Sequence, residues 1–173
     1  MPRALVVVDY QTDFVTGSLG SSCAEAIEKN IVFKIKEYLE RKESVFFTMD
    51  THDSNYLKTD EGVHIPIEHC IKGTLGWNIH GEVADYQCRG RTIEKGTFGS
   101  LDLIELLSGF DAIELCGVAT NICVMANAII LKTAYPDSKV TVDPKCVASY
   151  DLELHQKALD IMRSLCIDVR GGD

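Results

Sequence analysis

Along nearly the whole of this chain, apolar runs of strand length alternate with longer segments whose apolar residues recur at helical spacing. The strand-like runs are residues 4–9, 44–50, a short 91–94, 112–118, 139–142 and 166–169. The helical segments are 24–41, 101–107, 121–132 and 151–165; in the first of these, Ile27, Ile31, Ile35, Tyr38 and Leu39 share one face. Strands separated by helices pair in parallel, and a parallel sheet needs both of its faces covered. The alternation therefore predicts an α/β protein, a three-layer α/β/α arrangement around a central parallel sheet. At 173 residues, without a repeat, low-complexity tract or linker, residues 1–173 are expected to form one domain with a sizeable core. Residues 51–89 are the exception: long, rich in His, Gly and acidic side chains, and without periodicity. Such a segment inside an α/β domain reads as a functional loop.

In parallel α/β sheets, ligands bind beyond the carboxyl ends of the strands. Asp9 ends the first strand, Asp50 ends the second, Lys95 follows the short strand, and Cys123 follows the run 112–118. Any one strand-end carboxylate can be a simple turn or helix cap. Two carboxylates, a lysine and a cysteine converging on one sheet edge read as a reactive site. In Gly117-Val118-Ala119-Thr120-Asn121-Ile122-Cys123-Val124, Thr120 is the expected N-cap, which puts Cys123 in the first helical turn. Free backbone N–H groups and the helix dipole there would lower a thiol pKa and could hold an oxyanion. Cysteines are more often small buried hydrophobes, and Cys23, Cys88, Cys116, Cys146 and Cys166 are read that way. His80 and His155 are read as surface residues. In the loop, Asp50-Thr51-His52 sets a carboxylate and an imidazole on one side of an extended segment, with Glu61, His64, His69 and Cys70 downstream. Mixed Asp, Glu and His donors suit Zn, Fe(II) or Mn; Cys70 is a weaker, softer alternative.

A net charge of −9 argues against nucleic acid or an anionic membrane as partner. No apolar run approaches the roughly 20 residues of a membrane span. The stretch Leu5-Val6-Val7-Val8 is too short for a signal peptide, and no cleavage site follows it. Seven scattered cysteines without a CxxC pair fit reduced thiols. A cytoplasmic protein is expected.

Five segments, in order, carry a resemblance. They are Val8-Asp9-Tyr10-Gln11-Thr12-Asp13-Phe14, Asp50-Thr51-His52, His69-Cys70-Ile71-Lys72-Gly73-Thr74 with Pro66 just before it, Lys95-Gly96-Thr97-Phe98, and the segment around Cys123. Together they span nearly the whole chain, which resembles the isochorismatase-like cysteine hydrolases and, within them, the nicotinamidases. The resemblance implies a triad of Asp9, Lys95 and Cys123, a cis peptide between Val118 and Ala119, and an oxyanion hole from the N–H groups of Ala119 and Cys123. It also implies one divalent metal ion, Zn foremost with Fe or Mn as alternatives, on Asp50, His52 and His69, and a homo-oligomer acting on a small amide. Many nicotinamidases carry a further histidine shortly after the Asp-x-His pair, where this chain has Asn55, Tyr56, Leu57 and Lys58. Glu61 is expected as the fourth ligand, Gly62 letting the loop bend back, with His64 its rival. The aromatic side chain that usually precedes the Pro-x-His segment is missing, so the ring contact is expected from Phe14, Ile65 and Val118. The implied activity is conversion of nicotinamide to nicotinate and ammonia through a cysteine thioester. Its rivals are an amidase for another carbamoyl or ureido compound, a vinyl-ether hydrolase, and a non-catalytic metal- or thiol-binding protein.

Overall fold

The structure, a computed structural model, describes residues 2–170; Met1 and 171–173, the ends of the expected domain, lie outside the described residues. Six strands form one sheet: β1 (Arg3–Val8), β2 (Ser44–Asp50), β3 (Arg91–Lys95), β4 (Ala112–Val118), β5 (Lys139–Ala148) and β6 (Asp168–Val169). Their order is β3-β2-β1-β4-β5-β6, and every pairing is parallel. The strand order reverses between β1 and β4, which opens a crevice at their carboxyl ends. Asp9 follows one of these strands and Cys123 the other.

Residues alternate between the two faces of each strand, and two cores result. Ala4, Val6 and Val8 of β1 pack under α5 (Asp102–Leu106), α6 (Met125–Ala134) and α7 (Leu152–Ser164) through Leu103, Ala128, Leu131 and Met162. Leu5 and Val7 pack under α2 (Ser22–Ala26) and α3 (Glu28–Glu40) through Ala24, Ile31 and Ile35. This is the three-layer α/β/α architecture expected from the alternation. Among the described residues, no helix is long and apolar enough to cross a membrane.

Several boundaries differ from the sequence expectation; the strand expected over 166–169, for one, is only Asp168–Val169. The helix expected over 24–41 is two helices that meet at Ile27, and the first starts earlier than expected, where Ser21 caps it by accepting the Ala24 N–H at 3.2 Å. β5 runs past Val142 to Ala148, through Pro144. Leu115 pairs with Val142 and Gly117 with Val147, so the bulge absorbs the proline and its charged neighbours within one strand. The region 51–89 is not structureless: α4 (Asp60–His64) and 3-10 turns at Tyr56–Lys58 and Gly81–Arg89 give it local order. A four-residue helix, α1 (Thr12–Val15), also follows β1.

Gly117 has φ +110, and a Cβ there would overlap the Val8 carbonyl oxygen on the neighbouring strand. Gly117→Ala should therefore destabilise the fold by about 3 kcal/mol or more, among the larger effects of single substitutions. Urea unfolding measures this; a loss below about 1 kcal/mol would show that β1 and β4 can separate to admit the methyl group.

Candidate active site

The carboxyl ends of β1, β2, β3 and β4 bring Asp9, Asp50, Lys95 and Cys123 into one buried cluster. Asp9 has φ +46, a left-handed conformation that aspartate tolerates better than most residues. One of its carboxylate oxygens, Oδ2, lies 2.6 Å from Lys95 Nζ, and the other accepts the Thr48 hydroxyl at 2.6 Å. Lys95 Nζ is also 3.6 Å from Cys123 Sγ and 3.6 Å from Asp50 Oδ1, and it donates to the Thr97 carbonyl at 3.0 Å. All of these side chains are nearly inaccessible to solvent.

Burial raises the Asp9 carboxyl pKa, against the opposing charge of Lys95. Burial opposes the charge on Lys95, but Asp9, Cys123 and Asp50 outweigh it and hold the ammonium above its ordinary range. Burial and the Asp9 carboxylate push the Cys123 thiol well up, and Lys95 only partly offsets them. This corrects the expectation of a thiol acidified by a helix end. The local geometry explains the difference. Residues Thr120–Val124 form a π-helical turn whose N-cap is Ala119, without a side-chain cap. The Thr120 hydroxyl instead lies 2.8 Å from His155 Nδ1 on α7. His155 is thus a half-buried anchor of the cysteine turn and not a surface residue; burial lowers its pKa. His80 is half-buried too, its Nδ1 3.3 Å from the Thr12 hydroxyl. The Val118–Ala119 peptide is cis.

A second cluster adjoins the first through Asp50. Its Oδ2 is 3.0 Å from His52 Nε2 and 3.5 Å from His69 Nε2. Glu61 Oε1 is 3.6 Å from each of the same two nitrogens. One donor atom from each of Asp50, His52, Glu61 and His69 lies within 4.8 Å of all the others. Ligands about 2.0–2.1 Å from a tetrahedral Zn stand about 3.3–3.4 Å apart, so this spacing suits a small divalent cation. His69 Nδ1 donates to the Ile67 carbonyl at 2.8 Å, which leaves Nε2 as the free donor atom. Burial works to lower the His69 pKa, but Asp50, Glu61 and the Ile67 carbonyl hold it at about 10.

His64 lies away from this cluster, exposed on the last turn of α4, with Nδ1 2.8 Å from the Asp60 carbonyl. Glu61 is in the first turn of the same helix. Gly62 does not act as a bend. It is helical, and a Cβ there would overlap the Tyr56 carbonyl oxygen. Cys70 is buried, with its N–H donating to Asp13 Oδ2 at 2.8 Å, and is outside the four-residue cluster.

Several supporting residues carry no signal of their own in the sequence. Tyr56 packs against both His52 and His69, with ring centroids 4.6 and 4.9 Å away, and donates to the Ile65 carbonyl at 2.9 Å. Gln11 accepts the Asp50 N–H at 2.7 Å and donates to the Asp50 and Trp77 carbonyls. Asn127 donates to the Cys123 carbonyl at 2.8 Å and accepts the Ser100 N–H at 2.8 Å, tying the cysteine turn to the loop after Lys95. Only Gln11 sits inside a quoted motif. Thr48, Tyr56 and Asn127 are ordinary strand and helix residues whose partners come from distant segments.

A cavity of about 550 Å³ adjoins both clusters. Phe14, Ile65 and Val118, the three expected ring contacts, all line it, together with Ala119 and Ile122. The Phe14 ring also lies 5.4 Å from that of His69.

The isochorismatase domain family model matches residues 3–172. An isochorismatase family protein, PncA, of Bacillus subtilis strain 168 is 31% identical over 176 residues, covering 92% of this chain and 93% of that protein. The solved nicotinamidase/pyrazinamidase PncA from Bacillus subtilis superposes with a TM-score of 0.88 at 26% identity, over 98% of this chain and 100% of that one. The pyrazinamidase of Pyrococcus horikoshii in complex with zinc gives 0.87 at 26% identity, over 99% and 100%. With the family model matched over residues 3–172 and the sheet and strand-end cluster in agreement with it, the chain is a hydrolase that belongs to the isochorismatase family.

Proposed function

We propose that this protein is a metal-dependent cysteine amidase of the nicotinamidase type, converting a pyridine carboxamide to the carboxylate and ammonia. The observation that carries the reading is the position of Lys95, in contact at once with Asp9, Cys123 and the Asp50 of the four-residue cluster. Nucleophile, proton carrier and ring-nitrogen anchor are thereby parts of one site. The relatives named nicotinamidase and pyrazinamidase, one of them holding zinc, point the same way.

The chemistry follows from the residues. Asp9 accepts the Cys123 thiol proton as Sγ attacks the carboxamide carbon. A base of raised pKa is suited to returning that proton to the amine as the C–N bond breaks and ammonia leaves. The N–H groups of Ala119 and Cys123 receive the negative charge on the carboxamide oxygen, an effect worth roughly 3–4 kcal/mol per donor. Asp9 then takes a proton from water as it attacks the thioester carbon, and the thiol is restored as the acid departs. Lys95 compensates the negative charge throughout and keeps Asp9 against Cys123. Asp50, His52, Glu61 and His69 would hold the divalent ion, which supplies Lewis-acid polarisation of a ring nitrogen or of water. Zn fits the two-imidazole, two-carboxylate donor set, and Mn or Fe(II) is compatible with it.

Cys123, 3.6 Å from Lys95 Nζ, argues against the vinyl-ether rival, whose hydrolysis forms no thioester.

Cys123→Ala should abolish ammonia release from nicotinamide while leaving the unfolding midpoint near that of the parent. A nicotinaldehyde-type reagent, held in the site as the amide would be, should add to Cys123 and not to the exposed Cys88 or Cys166; addition elsewhere with Cys123 untouched would refute the nucleophile assignment. Asp9→Asn should lower kcat by ~10²–10⁴-fold, and near-normal turnover would move the proton-transfer role elsewhere. Glu61→Ala should lose both bound metal and activity, whereas His64→Ala keeps both, as read by metal content of the purified proteins. Removal of the ion with a chelator should stop hydrolysis, and addition of Zn, Mn or Fe(II) should restore it; unchanged hydrolysis after chelation would rule out a catalytic metal.

A further inference from the structure

The cavity beside the site is much larger than a pyridine carboxamide requires. Cavities of ~300–1,000 Å³ enclose drug-sized ligands, and this one measures about 550 Å³. None of Asp9, Lys95, Cys123, Asp50, His52, Glu61 or His69 lines it. It meets the cysteine turn through Val118, Ala119 and Ile122, and the second cluster through Phe14, against His69, and Ile67, whose carbonyl accepts from His69. A pyridine ring held against Phe14, Ile65 and Val118 fills only part of that volume. The lining also takes in Leu19, Ala24, Ile67, Ala148 and Tyr150, the last two at the end of β5 and the start of the following loop. The walls are mostly apolar, with polar side chains at Ser18, Ser21, Ser149 and Tyr150 and at the exposed His64.

A 3-pyridinecarboxamide in the proposed site is pinned at two points. Its carboxamide faces Cys123, and its ring nitrogen faces the Asp50, His52, Glu61 and His69 cluster. Ring carbon 2 lies between those anchors, and ring carbon 5 is the vertex directed away from both. We propose that the site takes 3-pyridinecarboxamides carrying an uncharged apolar substituent at ring carbon 5, seated in the cavity between Leu19, Ile67 and Ala148. The inference rests on the amidase reading and adds the substrate class that this cavity selects.

Each fully buried methylene gains roughly fourfold in affinity, so a propyl group buried in part should gain about tenfold. The test compares kcat/KM for 5-propylnicotinamide and nicotinamide by ammonia release from the metal-loaded protein. The expected ratio is about ten in favour of the propyl compound. Leu19→Trp, which fills the cavity from a half-buried wall position, should bring the ratio to one or below. Ile67→Trp should act in the same direction, and because Ile67 is 44% exposed the larger ring threatens folding less. Hydrolysis of nicotinamide with a parent ratio of one or less overturns the inference and leaves the amidase reading intact. A preference for the propyl compound that survives both tryptophan variants also overturns it, since the substituent would then lie elsewhere. Turnover of neither compound overturns the amidase reading, and the inference with it.

Discussion

Lys95 carries a full positive charge into a region that water scarcely reaches, and the rest of the site is arranged around it. Its side chain is 2% exposed, yet two carboxylates and a thiol lie within 3.6 Å of its nitrogen. Removing one partner of a buried ion pair typically costs about 3–5 kcal/mol, because the remaining charge is stranded. Lys95, Asp9 and Asp50 are therefore mutually dependent. Their backbones are fixed by the sheet, since Asp50 pairs with Lys95 across β2 and β3, and Val8 pairs with Thr48 across β1 and β2. Register thus sets the chemistry: a one-residue slip of β3 would turn Lys95 to the other face.

The same cluster acts on Cys123. Burial and the Asp9 carboxylate raise its thiol pKa, and Lys95 only partly offsets them. In the proposed reaction the proton passes to Asp9 as Sγ attacks, and the charge moves onward to an oxyanion held by backbone N–H groups. The helix-end dipole acts the other way, but burial and the neighbouring carboxylate are the larger effects here.

What could be read from the sequence divides along physical lines. The strands, the three layers and the residues at the strand ends were legible, because period-two and period-3.6 patterns are local and a polar residue closing an apolar run has few alternative placements. Asp9, Asp50, Lys95 and Cys123 belong to that class. Thr48, Tyr56 and Asn127 do not, because each acts through a partner 39, 9 or 27 residues away. The break at Ile27 was hidden by an unbroken apolar stripe, and the continuation of β5 by Pro144, which normally ends a strand.

The choice between Glu61 and His64 turned on local helix geometry that spacing along the chain does not reveal. Both residues lie on α4, and an α-helix brings residues three apart onto nearby faces, one turn displaced. Only the entry to that helix decides which of them reaches β2. Thr59 caps it by accepting the Gly62 N–H at 3.0 Å, and its own hydroxyl donates to the Tyr56 carbonyl at 2.7 Å. That pair of bonds fastens the first turn against the 3-10 turn at Tyr56–Lys58, so the first-turn glutamate is held near His52 and the last-turn histidine is left at the rim. Gly62 is required where the two turns touch, as a side chain would meet the Tyr56 carbonyl. Tyr56 stands in the stretch where many nicotinamidases carry another histidine; here it packs on His52 and His69 and hydrogen-bonds to the backbone of Ile65. The tyrosine and the glutamate thus form one solution: an aromatic ring packs on the two imidazoles, and a carboxylate from the next turn completes the four-residue cluster.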